Sequence, residues 1–322
     1  MNKKKFFASA VAATIVLLPA MTSCHNTIDE EVNENSRVEL RLSTGVEAAT
    51  LFRASFPETD KQIPYGRKVA VYVYEAGGGA LLYEKNLLTA DGAGGLSGGE
   101  PMYFPANGNK VDIRALHTNA ELPATLPVAN SVPFIHKVSN NQKTIEGYSS
   151  SDLLYAASED VAKTTSPVNL KFIHLLSKLQ VAVKAGDGLT AADITGITID
   201  GTKLEVEFFL ARTVGIGIGL PPDANTSPIE IGANVSADFG SGIRYNDAII
   251  VPQDLAAGTA FIIVHLSTGS NLIYRIPEDT DFFHGKKYIY HITANLTGLT
   301  LTTTIEDWIT VGSPVAGEAT TE

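Results

Sequence analysis

Ser177-Lys-Leu-Gln-Val-Ala-Val-Lys184 sets apolar Leu179, Val181 and Val183 between Lys178, Gln180 and Lys184. A period of two is the mark of a half-buried strand, because successive side chains point to opposite faces. The same signature recurs outward from it. Val168-Asn-Leu-Lys-Phe172 lies just before, and further strands are expected at 193–199, 204–209, 229–235, 248–251, 260–266, 271–276, 287–294 and 300–309. Toward the N-terminus, Val69-Ala-Val-Tyr-Val-Tyr74 is rich in residues that favour strands. Gly77-Gly-Gly79 turns it into Ala80-Leu-Leu-Tyr83, and Met102-Tyr-Phe104 and 110–116 add two more strands. Residues 91–100 hold too much glycine for any element interior. The stretch 121–150, broken by Pro123, Pro127 and Pro133, reads as loop, and 151–156 as a short strand or a turn of helix. Almost nothing sustains a helical period over three turns. Short strands with turn signals every ten residues or so specify an all-β sandwich or barrel. Lys163-Thr-Thr-Ser-Pro167 is the best domain boundary, so two β-sandwiches in series are expected, 54–165 and 166–322.

The N-terminus reads differently. Asn2-Lys-Lys-Lys5 precedes an apolar run over 6–20, and small Thr22 and Ser23 stand before the lone cysteine, Cys24. So short an apolar run with a basic flank is a secretory leader, residues 1–23. Thr22-Ser-Cys24 loosely matches the bacterial lipobox, in which the cysteine thiol is acylated and the leader removed ahead of it. One cysteine makes no internal disulfide, so the exported fold must hold without one. Residues 24–53 then form a polar tether with an acidic Asp29-Glu-Glu31, followed by Val38, Leu40 and Leu42 alternating with Glu39, Arg41 and Ser43. That alternation predicts a strand over 38–46. After the leader no apolar run approaches the ~20 residues of a spanning helix, so membrane attachment would rest on acyl chains at Cys24.

The net charge of −11 becomes −14 once Lys3, Lys4 and Lys5 leave with the leader. Nucleic acid requires a basic footprint and is excluded as a partner. Only 18% of residues are charged while Thr, Gly, Val and Ile abound, which again favours strands and turns. His25, His117, His136, His174, His265, His284 and His291 lack the helical spacing of a zinc site, and no second cysteine is present. His174 and His265 read as core or turn histidines with hydrogen-bonded rings. Gly215-Ile-Gly-Ile-Gly219 has the wrong spacing for a phosphate loop and reads as a hairpin. Asp187, Asp193, Glu278, Asp279 and Asp281 read as solvated turn acids, and no serine occupies a nucleophile elbow. We expect no enzyme, no metal site and no cofactor.

Several stretches carry a resemblance. Phe282-Phe-His-Gly-Lys-Lys-Tyr-Ile-Tyr-His-Ile-Thr-Ala-Asn-Leu-Thr-Gly-Leu299 with Ile305-Glu-Asp-Trp308 looks like the end of the fimbrillin domain of Bacteroidales. Phe172-Ile-His174 with 176–183, Asp152-Leu-Leu-Tyr-Ala156 before it, and Tyr65–Tyr74 resemble that family's earlier segments, in the same order. The acids after Cys24 resemble an export signal of surface lipoproteins in these bacteria. The resemblance implies two transthyretin-like Greek-key β-sandwiches and a pilin of surface fimbriae that support adhesion and biofilm formation. It also implies transport as a lipoprotein to the outer membrane, anchored by lipid on Cys24. An arginine-specific protease then removes the first strand, and a strand of another subunit fills the groove. Here the displaced strand would present Val38, Leu40 and Leu42. Arg53-Ala54 matches the family's cleavage position best, since Arg37 and Arg41 precede or lie inside the strand and Arg67 lies beside another. The implied partners are other fimbrial subunits and a host or bacterial surface receptor.

The donor strand is either the latter half of 299–311 or lies elsewhere, since the tail 312–322 offers only Val315 and two alanines. The role is left open between stalk, tip, accessory and anchor subunit, with the short stretch after the Trp segment counting against the stalk. An alternative reading is a non-polymerising surface lipoprotein that binds glycan through Tyr65, Tyr72, Tyr74, Tyr83 and Tyr103.

Overall fold

In the computed structural model, residues 37–44, 63–120, 122, 133–210 and 217–308 are described. Nine strands and one helix lead in: β1 (Leu42–Ser43), β2 (Lys68–Glu75), β3 (Leu81–Ala90), β4 (Leu96–Ser97), β5 (Val111–His117), β6 (Phe134–Lys137), α1 (Ile145–Ser150), β7 (Leu154–Val161), β8 (Val168–Asn169) and β9 (Ile173–His174). Then follow β10 (Ser177–Ala185), β11 (Ile194–Ile199), β12 (Glu205–Phe209), β13 (Gly217–Gly219), β14 (Ile229–Ile231) and β15 (Asn246–Ile250). The chain continues through β16 (Gln253–Leu255), β17 (Ala260–Leu266), β18 (Asn271–Arg275), β19 (Thr280–Phe282), β20 (Lys286–Asn295) and β21 (Gly298–Asp307). The protein is all-β, as its alternation specifies, with 51% of the described residues in strands and 4% in helix.

The centre of the N-terminal part is a six-stranded sheet, β4-β3-β2-β5-β7-β9. Both faces are covered, which is why β2 and β5 are almost continuously buried. Val69, Val71 and Val73 enter one core with Leu40, Leu42, Met102, Phe104, Leu170 and Phe172. Ala70 and Tyr72 enter the other core, toward the three-stranded sheet β13-β12-β6. There Tyr155 of β7 meets Phe208 of β12 at a centroid distance of 5.3 Å. The charges inside this sheet are partnered. Asp112 accepts the backbone N–H of Gly77 at 3.1 Å and of Asp160 at 2.9 Å, and Arg114 meets Glu159 at 2.9 Å.

The C-terminal part sets β15-β10-β20-β21 against β14-β11-β17-β18. The decisive alternation of β10 sends Leu179, Val181 and Val183 into the space between them. Phe261 of β17 and Tyr274 of β18 pack on Tyr290 of β20 at 5.8 and 6.1 Å, edge to face. One side of this sandwich is closed by 140–142. Its backbone bonds Glu230 of β14, and the Gln142 side-chain amide both donates to and accepts from Ile249 of β15, each at 2.8 Å.

Residues 163–167, expected to separate two domains, join β7 to β8. Both β8 and β9 remain with N-terminal partners, and β6 pairs with β12 from beyond them. Inside 121–150, read from sequence as loop, lie β6 and α1. β6 has only four residues, and α1 is a single capped turn in which the Thr144 hydroxyl accepts the Gly147 N–H at 3.1 Å. Neither is long enough to establish a period.

Candidate functional site

The segment 37–44 lies extended between two neighbours. On one side it runs antiparallel to 102–104. The Leu40 N–H donates to the Met102 carbonyl at 2.8 Å, and the Phe104 N–H to the Val38 carbonyl at 3.0 Å. On the other side β1 runs parallel to β8, with Val168 N–H on the Arg41 carbonyl at 2.8 Å and Leu170 N–H on that of Ser43 at 2.7 Å. Alternation then sorts the side chains. Leu40 and Leu42 are 3% and 4% exposed in the N-terminal core, and Val38 packs at its margin. Glu39 and Arg41 face water. Arg41 reaches the Thr165 carbonyl, and the Arg37 guanidinium lies 6.0 Å from the centre of the Tyr103 ring.

The 102–104 wall of this slot is held by contacts that do not involve its occupant, whereas β8 has β1 as its only ladder partner among the described residues. The Tyr83 hydroxyl accepts the Tyr103 N–H at 2.9 Å, and the Asn86 amide bonds both backbone groups of Glu100 at 2.7 and 2.9 Å. The occupant is nonetheless firmly seated. Burying two leucine side chains contributes on the order of 3–6 kcal/mol, and each backbone bond adds about 1 kcal/mol net. An emptied slot would present two unpaired edges and an apolar stripe, the conditions that favour adding a strand from elsewhere.

The structure thus brings Val38, Leu40 and Leu42 together on one strand. Cys24, Arg53 and Ala54 lie outside the described residues, as do the residues between Thr44 and Ile63. Of the five tyrosines, Tyr72 is fully buried, Tyr83 and Tyr103 engage each other, and Tyr65 projects into water at 83% exposure.

A second cluster gathers residues from the stretches that carried the resemblance. Asp152 bonds His174 Nδ1 at 3.0 Å, and the imidazole stacks on Trp308. The Lys178 ammonium stands 5.7 Å from the Trp308 ring and 5.6 Å from that of Tyr148, and 4.0 Å from Asp247. The Trp308 backbone N–H donates to the Gly285 carbonyl at 2.8 Å. Every one of these side chains is nearly inaccessible to water. His265 is likewise partnered, by Thr198 at 2.6 Å and Asn271 at 2.8 Å. Among the described residues no group of His, Cys, Asp and Glu could hold a metal ion. The arrangement is one of packing and strand pairing.

A fimbrillin-like family model matches residues 53–308. The candidate fimbrium subunit Fim1C of Bacteroides uniformis is 25% identical over 316 residues, covering 95% of each chain. Among solved structures, a candidate cell adhesion protein from Bacteroides uniformis superposes with a TM-score of 0.64 at 23% identity, covering 86% of this chain and 99% of that one. The tip fimbrial protein Mfa3 from Porphyromonas gingivalis, with a C-terminal truncation, gives 0.53 at 12% identity, covering 84% and 100%. The two structures agree in fold, and the family match takes in most of the sequence, including both halves of the His174–Trp308 stack: the chain belongs to the fimbrillin-like family.

Proposed function

We propose that this chain is a structural subunit of a cell-surface fimbrium that supports adhesion and biofilm formation. It is exported as a lipoprotein, held at the outer membrane by acylated Cys24, and assembled by strand exchange. Cleavage after Arg53 releases 24–53, and with it the strand that carries Val38, Leu40 and Leu42. A strand of another subunit enters in its place, parallel to β8 and antiparallel to 102–104. The observation that carries this reading is the seating of 37–44 between two partners, one of which, 102–104, is held by Tyr83 and Asn86 without it. The family match, which begins at residue 53, supports a division there.

The test is an N-terminal determination and an unheated SDS gel on protein sheared from cells. A chain starting at Ala54 within a ladder that collapses on boiling is expected. Surface protein that starts at Cys24 and runs as a monomer would refute strand exchange.

A further inference from the structure

The two sides of the C-terminal sandwich are finished differently. One is closed by 140–142, as described above. On the other, β21 has β20 as its only ladder partner among the described residues, and 302–307 are exposed throughout. The hydrogen-bond phase of this edge can be read from the ladder. Asn295 pairs with Gly298 across a two-residue connection, the Trp308 N–H continues the series to Gly285, and the Ala294 carbonyl points away to Gly186. Even-numbered residues of β21 therefore bond β20. The N–H and C=O groups of Leu299, Leu301, Thr303, Ile305 and Asp307 point outward.

Natural edges are usually blunted by proline, lysine, a bulge or a covering segment. From Leu299 to Asp307 there is no proline, lysine or glycine, and the β20–β21 register has no shift. The two acids at its end are neutralised, Glu306 by Lys287 at 2.9 Å and Asp307 by Lys286. Ile305 shares the core-facing side of the strand with Leu299 and Leu301 yet is 59% exposed. Among the described residues the edge is therefore flat, β-branched and uncovered over the half that follows Leu301.

We infer that this edge pairs with the same edge of a second copy of the chain. The sequence is self-complementary. Leu301-Thr-Thr-Thr-Ile305 has the same pattern from either end, with a centre at Thr303 whose outward N–H and C=O fit a two-fold axis. In that register the two Thr303 residues exchange both backbone bonds, and Leu301 meets Ile305 of the other copy on the apolar face. Thr302 meets Thr304 on the polar face. Two four-stranded sheets become one. The contact leaves residues 37–44 in place and is available to the uncleaved chain.

The test uses the full chain. Light scattering should give a dimer, and Thr303→Pro and Ile305→Lys should each give a monomer with an unchanged far-UV spectrum. Proline at 303 removes an outward donor and spares the β20 ladder. With Cys24→Ser in the background, mild oxidation should link Thr303→Cys chains in pairs and leave Thr300→Cys chains unlinked. A monomeric wild type, or a dimer that survives Thr303→Pro, overturns the proposal. So does a monomer whose Leu301, Thr303 and Ile305 amides resist hydrogen exchange, since the chain's own tail would then cover the edge.

Discussion

The indole of Trp308 lies flat on the imidazole of His174, centroids 3.7 Å apart and planes within 7°. His174 ends the N-terminal sheet in β9, and Trp308 follows β21 at the edge of a C-terminal sheet. The stack therefore ties the last strand to the strand where the chain passes from one part to the other. Asp152 holds the far side of the ring. Because 302–307 are exposed, the end of β21 is secured by its ladder to β20 and by this buried plug.

Trp308→Ala should destabilise the fold by about 3–5 kcal/mol, the range for truncating a buried large aromatic. Trp308→Phe, which keeps a ring over His174, should recover part of it. Denaturant titration gives the magnitude. Hydrogen exchange should place the first loss of protection in the ladder between 286–289 and 304–307.

Leu40→Ala and Leu42→Ala should each cost about 2–5 kcal/mol. The loss should be local, with faster amide exchange at Leu40, Phe104, Val168 and Leu170 and little change in β10 or β20. Uniform loss of protection across the chain would argue that 37–44 is no separable element.

Acidification should weaken the fold through two histidines. His117 Nδ1 lies 2.8 Å from the Lys68 carbonyl and His136 Nε2 2.8 Å from that of Ser151. Burial pulls both below the ordinary 6.5, outweighing the carbonyls and nearby Asp152, which favour the proton. The folded state then binds fewer protons than the unfolded one. Stability is intact above about pH 6.5 and falls below it, by up to about 1.4 kcal/mol per pH unit for each ring. Melting between pH 7 and 5 should show this slope, and a His117→Gln, His136→Gln double variant should flatten it.

Much of this fold is legible because one side chain in two faces a core. Leu179, Val181 and Val183 announce β10, although the half-buried strand expected there is buried on its other face too, at Lys178, Gln180 and Ala182; Val38, Leu40 and Leu42 announce the seated strand. What fails to show is pairing at a distance. Nothing in Val168-Asn169 says that it lies parallel to Leu42-Ser43, since a parallel partner leaves no turn between the two. The same holds for the central cluster, where Asp152, His174, Lys178 and Trp308 stand out singly and meet only in the folded chain. Pro133 hid β6 by making a four-residue strand look like loop. Gln142 was equally silent, because a loop amide and an amide that completes a sheet edge are the same residue in sequence.

That glutamine supplies the last prediction. Ile249 is fully buried, and both its N–H and its C=O are bonded by the Gln142 amide. Gln142→Ala leaves both groups without these bonds, at about 1–3 kcal/mol each. Gln142→Glu should be worse than its similarity suggests, because a carboxylate accepts the N–H but repels the carbonyl. Equilibrium unfolding should rank wild type above both variants. Opening this second edge should also bring concentration-dependent aggregation that wild type lacks. If Gln142→Ala unfolds like wild type and stays dispersed, the amide is not what closes that side, and the contrast between a closed β15 edge and an open β21 edge loses its physical basis.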